Sequence, residues 1–314
     1  MNSYKIIHDN CFDWLKDQKH NSIMGVCTDP PYGVIEFSPS ELEKMRNGNG
    51  GIWRIPPKIG GSQRSPLPRF TVLSNEDKEH VKNYFYEFGK SLLPCLCPGA
   101  HVFLAGTPFL QYLVQESMAR AGFEIRGAIM RIYRSFRGGD RPKLAENEFK
   151  DICVTPRGSY EPWMLFRKPI QQKTVAANLR KWGTGALRRL STEQPLPDII
   201  LSSRTPKCES DINNHPTLKP QHFLRIIVRS CLPLGEGTIL DPFAGSGSTC
   251  AAAQAVGYDS IGVEIDDIYY STIEFSISRL STLYKNFQGD SLDCCKENGT
   301  KYQNKSQAGL FEQR

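Results

Sequence analysis

The amino-acid sequence predicts an α/β fold with a mainly parallel sheet. Short apolar runs alternate with segments of helical spacing along most of the chain, which is typical of parallel strands joined by helices. With 314 residues, of which 39% are hydrophobic and 23% charged, the composition is that of a globular chain and excludes a wholly disordered one. No apolar run reaches the length needed to span a bilayer.

The predicted strands and helices follow one another in regular order. Apolar or alternating runs predict strands at 4–8, 23–28, 100–105, 124–133, 161–167, 238–240 and 260–263. Apolar residues spaced by three and four predict helices at 11–19, 76–93, 108–121, 175–182, 221–231, 248–256 and 266–283. We expect 1–133 and 208–284 to form one catalytic and cofactor-binding domain, with the strand near 161–168 in the same sheet.

Two segments lack helix or strand periodicity. Residues 36–70 are rich in Gly, Pro, Ser and Arg and predict a long, mobile loop inserted in the domain. Residues 285–314 are polar and predict a disordered tail. The first ten residues show no secretion signal, so we expect the protein to reside in the cytosol.

The ten cysteines are scattered, and several lie in apolar segments where a reduced thiol acts as a small core residue. No two of them have the two-residue gap of a usual zinc ligand pair. We therefore expect free thiols and no metal site.

Positive charge is concentrated in one region. Residues 120–207 contain 18 Lys and Arg against 8 Asp and Glu, interleaved with aromatic residues. This pattern is typical of a face that binds a polyanion, although an ordinary solvated surface is the alternative. We assign 134–207 as a target-recognition region.

A glycine loop lies between the predicted strand at 238–240 and the helix at 248–256. It reads Asp241-Pro-Phe-Ala-Gly-Ser-Gly-Ser-Thr249, and its glycines allow the backbone to approach a ligand closely. The next strand ends at Glu264, where a carboxylate can accept both hydroxyls of a ribose. The loop lacks the third glycine of the dinucleotide fingerprint, and Asp241 would repel a phosphate. S-adenosylmethionine, with a nucleoside and a positive centre, fits better than a dinucleotide.

The segment Asp29-Pro30-Pro31-Tyr32 follows the strand at 23–28. Two prolines make a stiff turn without backbone donors, which presents the Asp29 side chain and the Pro30 carbonyl as acceptors. Two acceptors on an exocyclic amino group direct its lone pair at an electrophile such as a sulfonium methyl group. Tyr32 can stack on a flipped base. A plain proline-rich turn is the alternative.

A second chemistry, C5 methylation of cytosine, needs a nucleophilic cysteine after a proline, and Pro94-Cys95 is such a pair. It precedes a strand instead of ending the strand that carries the acceptor turn. We therefore interpret Cys95 as a thiol of the core or of a helix end.

Together these motifs resemble those of the DNA amino-methyltransferases, the N6-adenine and N4-cytosine family. The turn at Asp29 precedes the glycine loop, with the basic segment between them, which is similar to the permuted beta-group order. His215-Pro-Thr-Leu-Lys-Pro220 resembles that group's HPTxKP segment, which leads into the helix covering the methionine end of the cofactor. The resemblance implies a Rossmann-like, S-adenosylmethionine-dependent methyltransferase fold with an inserted DNA-recognition region.

The resemblance also implies roles for individual residues. Asp9 is placed like the family residue that holds the adenine amino group of the cofactor, although His8 replaces its usual Gly neighbour. The catalytic assignments are Asp29, Pro30, Pro31 and Tyr32. The cofactor-binding assignments are Asp9, Asp29, His215, Thr217, Lys219, Asp241, Phe243, Ala244, Gly245, Ser246, Gly247, Ser248, Thr249 and Glu264. The DNA-binding assignments are Arg137, Arg141, Arg157, Arg188 and Arg189.

The sequence thus predicts methyl transfer from S-adenosylmethionine to N6 of a flipped adenine at a specific site in double-stranded DNA. Asp at position 29 is commoner in adenine enzymes of the family. N4-cytosine methylation, RNA amino-methylation and a catalytically silent DNA-binding protein are the alternatives. Predicted partners besides DNA are a separate restriction endonuclease and a second copy of the chain. We expect no interaction with a membrane.

Residues 307–311 resemble the peptide by which bacterial replication proteins bind the sliding clamp. We interpret them as part of the disordered tail, with a clamp contact as the alternative. A bacterial, archaeal or phage origin fits the family.

Overall fold

The computed structural model describes residues 3–31, 73–133, 139, 141–142, 144–213 and 218–284, together with the backbone of 58–59 and 62–63. The predictions made for the tail at 285–314, and for all of the loop at 36–70 except those two short strands, lie outside the described residues.

Strands and helices alternate along the described chain. In order they are β1 (Tyr4–His8), α1 (Cys11–Lys16), β2 (Ile23–Thr28), β3 (Lys58–Ile59), β4 (Ser62–Gln63), α2 (Asn75–Cys95), β5 (Leu96–Ala105), α3 (Gln111–Arg120), β6 (Glu124–Ile132), β7 (Tyr160–Arg167), α4 (Val175–Trp182), β8 (Ile199–Leu201), α5 (Lys207–Ser210), α6 (Gln221–Cys231), β9 (Thr238–Asp241), α7 (Ser248–Val256), β10 (Asp259–Glu264) and α8 (Asp267–Thr282).

Eight of these strands form one sheet in the order β1-β10-β9-β2-β5-β7-β6-β8. All described pairs in it are parallel except those made by β7, which runs against both β5 and β6. The reversal places the first residues of β7 at the edge of the sheet where the other strands end. The predicted α/β fold with a mainly parallel sheet is confirmed.

Both faces of the sheet are covered, as expected for a parallel sheet with helical crossovers. Along β5, Val102 and Leu104 pack with α1, α2 and α3, whereas Phe103 and Ala105 pack with α6 and α7. A third cluster joins α7 to α8. Successive strand residues therefore serve opposite cores, which fixes the register of β2, β5 and β7.

Local sequence sets several helix ends. Ser74 and Asp77 form a capping box at the start of α2. Thr174 caps α4, which ends at Gly183 with φ +71. Asp266 accepts two backbone N–H groups at the start of α8.

The structure differs from the sequence-based expectations in a few places. β5 begins at Leu96, directly after Cys95 ends α2, so the strand is longer than predicted. The short elements β8 and α5 lie in a segment where no period was found. β8 is only three residues long, too short for an alternation pattern to be visible.

The predicted recognition region at 134–207 is partly built into the sheet. Trp163 and Phe166 of β7 are fully buried, so these two aromatic side chains are not available at the surface, and Ile200 of β8 is buried in the core as well. The described part of 139–159 lies outside the sheet. No helix in the described residues is long and apolar enough to cross a membrane.

Candidate active site

Three strands that lead into motif residues end at the same edge of the sheet, the edge formed by the carboxyl ends of the parallel strands. β2 leads into Asp29, the neighbouring β9 ends in Asp241, and β10 ends in Glu264. The connections from β9 and from β2 diverge to opposite sides of this point, which makes it a topological switch point where α/β proteins bind ligands. The sequence motifs therefore meet in space although more than 200 residues separate them in the chain.

The glycine loop turns sharply at Gly247, which has φ +78 and directly precedes α7. A Cβ atom there would lie 2.7 Å from Cγ1 of both Ile273 and Ile277 of α8. Gly247 is thus required both for its backbone conformation and for close packing under the loop. The opposite side of the loop is left for a ligand.

Glu264 connects the glycine loop to the end of β10. Its Oε2 atom accepts a hydrogen bond from the Gly245 N–H at 2.6 Å, and its Oε1 atom accepts one from the Asp266 N–H at 2.8 Å. A carboxylate oxygen can accept more than one hydrogen bond, so these contacts leave capacity for hydroxyl donors. The backbone fixes the orientation of the acid that the sequence predicted for ribose binding.

Asp241 lies at the start of the loop and is buried. Its Oδ1 atom accepts hydrogen bonds from the Thr28 hydroxyl at 2.6 Å and from the Phe243 N–H at 3.2 Å. Burial raises the pKa of Asp241 to about 6, although hydrogen bonds from Thr28 and Thr249 act in the opposite direction.

The remaining loop residues are positioned by their own contacts. The hydroxyls of Ser246 and Ser248 are 2.8 Å apart, and the Gln221 amide donates to the Ser248 carbonyl at 2.9 Å. Phe243 packs against Phe88 of α2 with ring centroids 5.4 Å apart. Ala244 and Thr249 are buried.

Asp9 follows β1 at the same edge of the sheet. Its N–H donates to the Glu264 carbonyl at 3.1 Å, and its side chain is exposed. The adjacent His8 ring stacks on Tyr270 of α8 at 4.4 Å and lies 3.2 Å from Asp267. The His8 side chain therefore contacts α8, and the Asp9 carboxyl accepts a hydrogen bond from the Asn10 N–H at 2.7 Å.

In the structure, the side chain of Lys219 contacts the catalytic turn. Its ammonium group makes a short hydrogen bond to Asp29 Oδ2 and lies 3.6 Å from Glu161 Oε1. Lys219 was assigned to the cofactor site from its motif, whereas the contacts shown are with the two carboxylates. Asp29, Glu161 and Lys219 all have side chains that are less than one-fifth exposed.

Glu161 is itself held by neighbours on the sheet. Its Oε2 atom accepts hydrogen bonds from Arg131 Nη1 and from Trp163 Nε1, each at 3.0 Å. Arg131 is fixed in turn by the Ser202 hydroxyl at 3.0 Å and the Ser203 carbonyl at 2.8 Å. Two cations and two anions alternate in this buried group, which we call the ion cluster (Asp29, Lys219, Glu161 and Arg131).

Burial and neighbouring charges act differently on the members of the ion cluster. Burial raises the pKa of Asp29, and the Lys219 charge offsets this only in part. Burial also acts to raise the pKa of Glu161, but Lys219 and Arg131 together bring that pKa below its usual value. Burial acts to lower the pKa of Lys219, whereas Asp29 and Glu161 raise it above its usual value.

Reasoning from sequence missed Arg131 and Glu161. A signal was present, because Arg131 stands between the apolar residues Met130 and Ile132, and Glu161 directly precedes the apolar run 162–166. It was hidden by the general positive charge of the region, to which Arg131 was counted as a surface contributor.

Four predicted site residues lie outside the described part of the chain: Tyr32, Arg137, His215 and Thr217. Pro30 is buried and Pro31 is exposed beside Asp29. No group of three or more His, Cys, Asp or Glu side chains with the arrangement of a metal site occurs among the described residues.

The predicted DNA-binding arginines lie at two different edges of the sheet, one at the carboxyl ends and one at the amino ends of the parallel strands. Arg141 and Arg157 are exposed in the β6–β7 connection, on the edge that carries Asp29. The Arg188 guanidinium instead donates to the Tyr258 hydroxyl at 2.9 Å, and the Arg189 carbonyl accepts from Arg229 at 2.7 Å. Tyr258 precedes β10, so this pair lies at the opposite edge. Their position does not support contact with DNA next to the catalytic turn.

Cys95 has the surroundings of a structural thiol. It is buried at the end of α2, where its Sγ atom donates to the Leu15 carbonyl at 3.3 Å. Burial raises its pKa, which disfavours the thiolate. Because β5 starts directly after it, Cys95 lies at the edge of the sheet remote from Asp29. The eight cysteines of the described residues are free thiols.

A Rossmann-like sheet with a glycine loop and acids at adjacent strand ends defines an α/β enzyme of the methyltransferase fold. The DNA methylase family model, N6_N4_Mtase, matches residues 23–275. The chain therefore belongs to the DNA methylase family, and its activity is that of a DNA methyltransferase. DNA methylases of this family use S-adenosylmethionine, in agreement with the cofactor predicted from the motifs.

Proteins with similar sequences carry the names of DNA methyltransferases. The chain is 23% identical over 268 residues to the type II methyltransferase M2.DpnII of Streptococcus pneumoniae, covering 85% of this chain and 87% of the relative. A shorter match, 41% identical over 70 residues, is to the DNA adenine methyltransferase YhdJ of Escherichia coli and covers 22% of each chain.

Solved structures share the fold. The M1.HpyAVI complex with SAM superposes with a TM-score of 0.52 at 16% identity, covering 87% of this chain and 98% of that one. The cytosine-N4-specific PvuII DNA methyltransferase superposes with a TM-score of 0.54 at 13% identity, covering 92% and 96%. At these identities the likeness shows the fold.

Proposed function

We propose that the protein methylates the N6 amino group of adenine in double-stranded DNA, with Asp29 and the Pro30 carbonyl as acceptors for that amino group. The position of Asp29 carries this proposal. It lies at the end of β2, in the opening beside the glycine loop of β9, where a bound amino group and a cofactor would meet.

The described residues fit S-adenosylmethionine. Glu264 is oriented by two backbone N–H groups and can accept the ribose hydroxyls. Gly247 lets the loop pack closely on α8, and the carboxyl of Asp9, an exposed residue, is available to an adenine amino group. When bound, the cofactor supplies an electrophilic methyl group on a positively charged sulfur.

The chain's own residues orient the nucleophile. Asp29 and the Pro30 carbonyl accept the two N–H bonds of the amino group and so turn its lone pair toward the methyl carbon. With S-adenosylmethionine bound, the N–C bond would form as the C–S bond breaks, and the electron pair of that bond would remain on sulfur. The nitrogen then loses one proton, which Asp29 is placed to accept.

The reaction needs the target base outside the helical stack, because Asp29 is less than one-fifth exposed. We assign stacking on the flipped base to Tyr32. Asp at position 29 and the match to an adenine enzyme support adenine. N4-cytosine methylation is the second candidate, because a cytosine-N4-specific enzyme has the same fold.

We place the DNA-contacting face on the β6–β7 connection. Arg141 and Arg157 are exposed there, and Arg137 lies in the same connection. Positive side chains at this edge can neutralise phosphates next to a flipped base. A separate endonuclease, a second copy of the chain, and a clamp contact through 307–311 remain further predicted partners.

Product analysis tests the proposed function. The purified protein is incubated with methyl-labelled S-adenosylmethionine and unmethylated duplex DNA, and the DNA is then digested to nucleosides for mass spectrometry. Labelled N6-methyl-2′-deoxyadenosine is expected, and labelled N4-methyl-2′-deoxycytidine would select the second candidate. Label found only in RNA supplied in parallel, or in neither nucleic acid, would overturn the proposal.

A further inference from the structure

We propose that Glu161 is a positioning residue that takes over the Lys219 ammonium group when Asp29 accepts the target amino group. This inference rests on the proposed function, because it assigns Asp29 as the acceptor for that amino group. It gives the reversed strand β7 a part in preparing the catalytic turn.

Asp29 already accepts a hydrogen bond from the Lys219 ammonium group. Lys219 donates to Asp29 Oδ2, the kind of atom that must accept an N–H bond of the incoming base. A buried ammonium group that gives up this contact requires another acceptor, because an unpaired buried charge is strongly destabilising. The target amino group and Lys219 therefore compete for the same carboxylate, and a second carboxylate next to Lys219 can hold the lysine when the base takes its place on Asp29.

Glu161 has the geometry to meet that need. Its Oε1 atom lies 3.6 Å from Lys219 Nζ, slightly longer than a hydrogen bond. Its other oxygen, Oε2, is fixed by Arg131 and Trp163 at 3.0 Å each. Glu161 is thus anchored through one oxygen and faces Lys219 with the other, so a small movement of the lysine completes the second contact.

The charges of the ion cluster agree with this role. Asp29, Glu161 and Arg131 are charged groups that act on Lys219, and the charge of Asp29 in turn acts on the buried carboxyl of Asp241. Two carboxylates balance one ammonium and one guanidinium group. Moving Lys219 from Asp29 to Glu161 keeps that balance, whereas without Glu161 the lysine would remain on Asp29.

The topology explains why β7 supplies this carboxylate. β7 is antiparallel to β5 and β6, so Glu161, near its start, lies at the edge where β2 ends. Arg131 is its register partner on β6. The same two strands carry a second Arg–Glu pair, Arg167 with Glu124, in register near their other ends.

That second pair provides a matched control. Glu161→Gln removes the acceptor charge next to Lys219, and Glu124→Gln removes an equivalent cross-strand charge far from the turn. We expect kcat for DNA methylation to fall at least about tenfold in Glu161→Gln, because a charge-assisted contact is lost. The KM for S-adenosylmethionine should stay near that of the wild type, Glu161→Asp should recover part of kcat, and Glu124→Gln should retain kcat.

The pH profile separates positioning from a purely structural role. The Glu161 carboxylate acts to raise the pKa of Asp29. Its removal should therefore move the acid limb of the kcat profile to lower pH, because Asp29 then ionises more easily. Glu124→Gln should leave this limb in place.

A double variant tests whether Glu161 acts through Lys219. Adding Glu161→Gln to Lys219→Met should cause no further loss of kcat, since the lysine to be held is already absent. Equal kcat in Glu161→Gln and Glu124→Gln, an unshifted acid limb, or independent losses in the double variant would each overturn the inference. A wild-type protein that labels no DNA would instead refute the proposed function. Melting temperatures and the Glu161→Asp variant show whether any loss reflects unfolding.

Discussion

The Thr28 hydroxyl donates a hydrogen bond to Asp241 Oδ1 at 2.6 Å, joining the ends of β2 and β9. Both residues are buried. Thr28 directly precedes the catalytic turn, and Asp241 begins the glycine loop. This bond therefore ties the segment proposed to hold the target amino group to the segment proposed to hold the cofactor, across the opening between the two halves of the sheet.

Asp29→Asn should abolish most methyl transfer while leaving cofactor binding intact. Asparagine keeps the shape but loses the charge that accepts an amino N–H, so we expect kcat to fall about 10²- to 10³-fold. Calorimetry with S-adenosylmethionine should give a dissociation constant close to that of the wild type. Asp13→Asn is the control, because Asp13 also pairs with a lysine but on the surface. Normal turnover in Asp29→Asn would refute the assignment of the turn.

Glu264→Gln should weaken cofactor binding more than catalysis at saturating cofactor. In the wild type, two backbone N–H groups donate to the carboxylate of Glu264. In the variant, the amide NH2 group would face one of these donors and could not accept its hydrogen bond. A lost charge-assisted contact costs about 1.5–3 kcal/mol, so the dissociation constant should rise at least about tenfold. Glu274→Gln, on the exposed side of α8, should bind normally. Unchanged affinity in Glu264→Gln would remove Glu264 from the cofactor site.

Gly247→Ala should destabilise the protein more than Gly127→Ala does. Both glycines have positive φ, +78 and +99, so alanine is strained at either position. A Cβ at 247 also meets two isoleucines at 2.7 Å, whereas nothing lies within 4 Å of one at 127. Overpacking adds about 1–3 kcal/mol to the loss in unfolding free energy at position 247. Urea denaturation of the two variants measures the difference, and equal losses would contradict it.

His101 should make the folded protein sensitive to mild acid. Burial, with Arg167 and Arg126 nearby, lowers its pKa from 6.5 to about 3. The unfolded chain then binds more protons than the folded one between these values. Stability is therefore complete above about pH 6.5 and falls as the pH decreases toward 3.

From pH 7 to 5 this difference amounts to about 2 kcal/mol of unfolding free energy, which His101→Leu should remove. Denaturation curves at several pH values measure the slope. His80→Gln, at an exposed histidine of α2, should keep the wild-type slope. The same slope in His101→Leu would show that His101 does not carry the effect.

Much of the fold could be predicted from the sequence because its elements are long and periodic. The end of β2 at Thr28 and the start of α7 at Ser248 were predicted to the residue. Turn chemistry marked both boundaries, through Asp29-Pro30-Pro31 at the first and Gly245 and Gly247 at the second. Local sequence therefore sufficed to locate the glycine loop and the catalytic turn.

The ion cluster could not be predicted in the same way. The pairing of Arg131 with Glu161 depends on the register of β6 against β7, and Lys219 reaches them only through the folded chain. In the sequence, Arg131 is one of many basic residues in its region. The opposite locations of Arg157 and Arg188 likewise follow from sheet topology, which a local pattern does not contain.

The reversal of β7 has a consequence for how such a protein can change over time. The chain leaves β6 and enters β7 at the same edge, so the connecting segment starts and finishes there without crossing the sheet. The Tyr133 N–H donates to the Ser159 carbonyl at 3.0 Å and closes the base of this segment. Residues beyond that bond can be lengthened, shortened or exchanged while every strand keeps its register, so new surface chemistry can be acquired beside an unchanged catalytic turn.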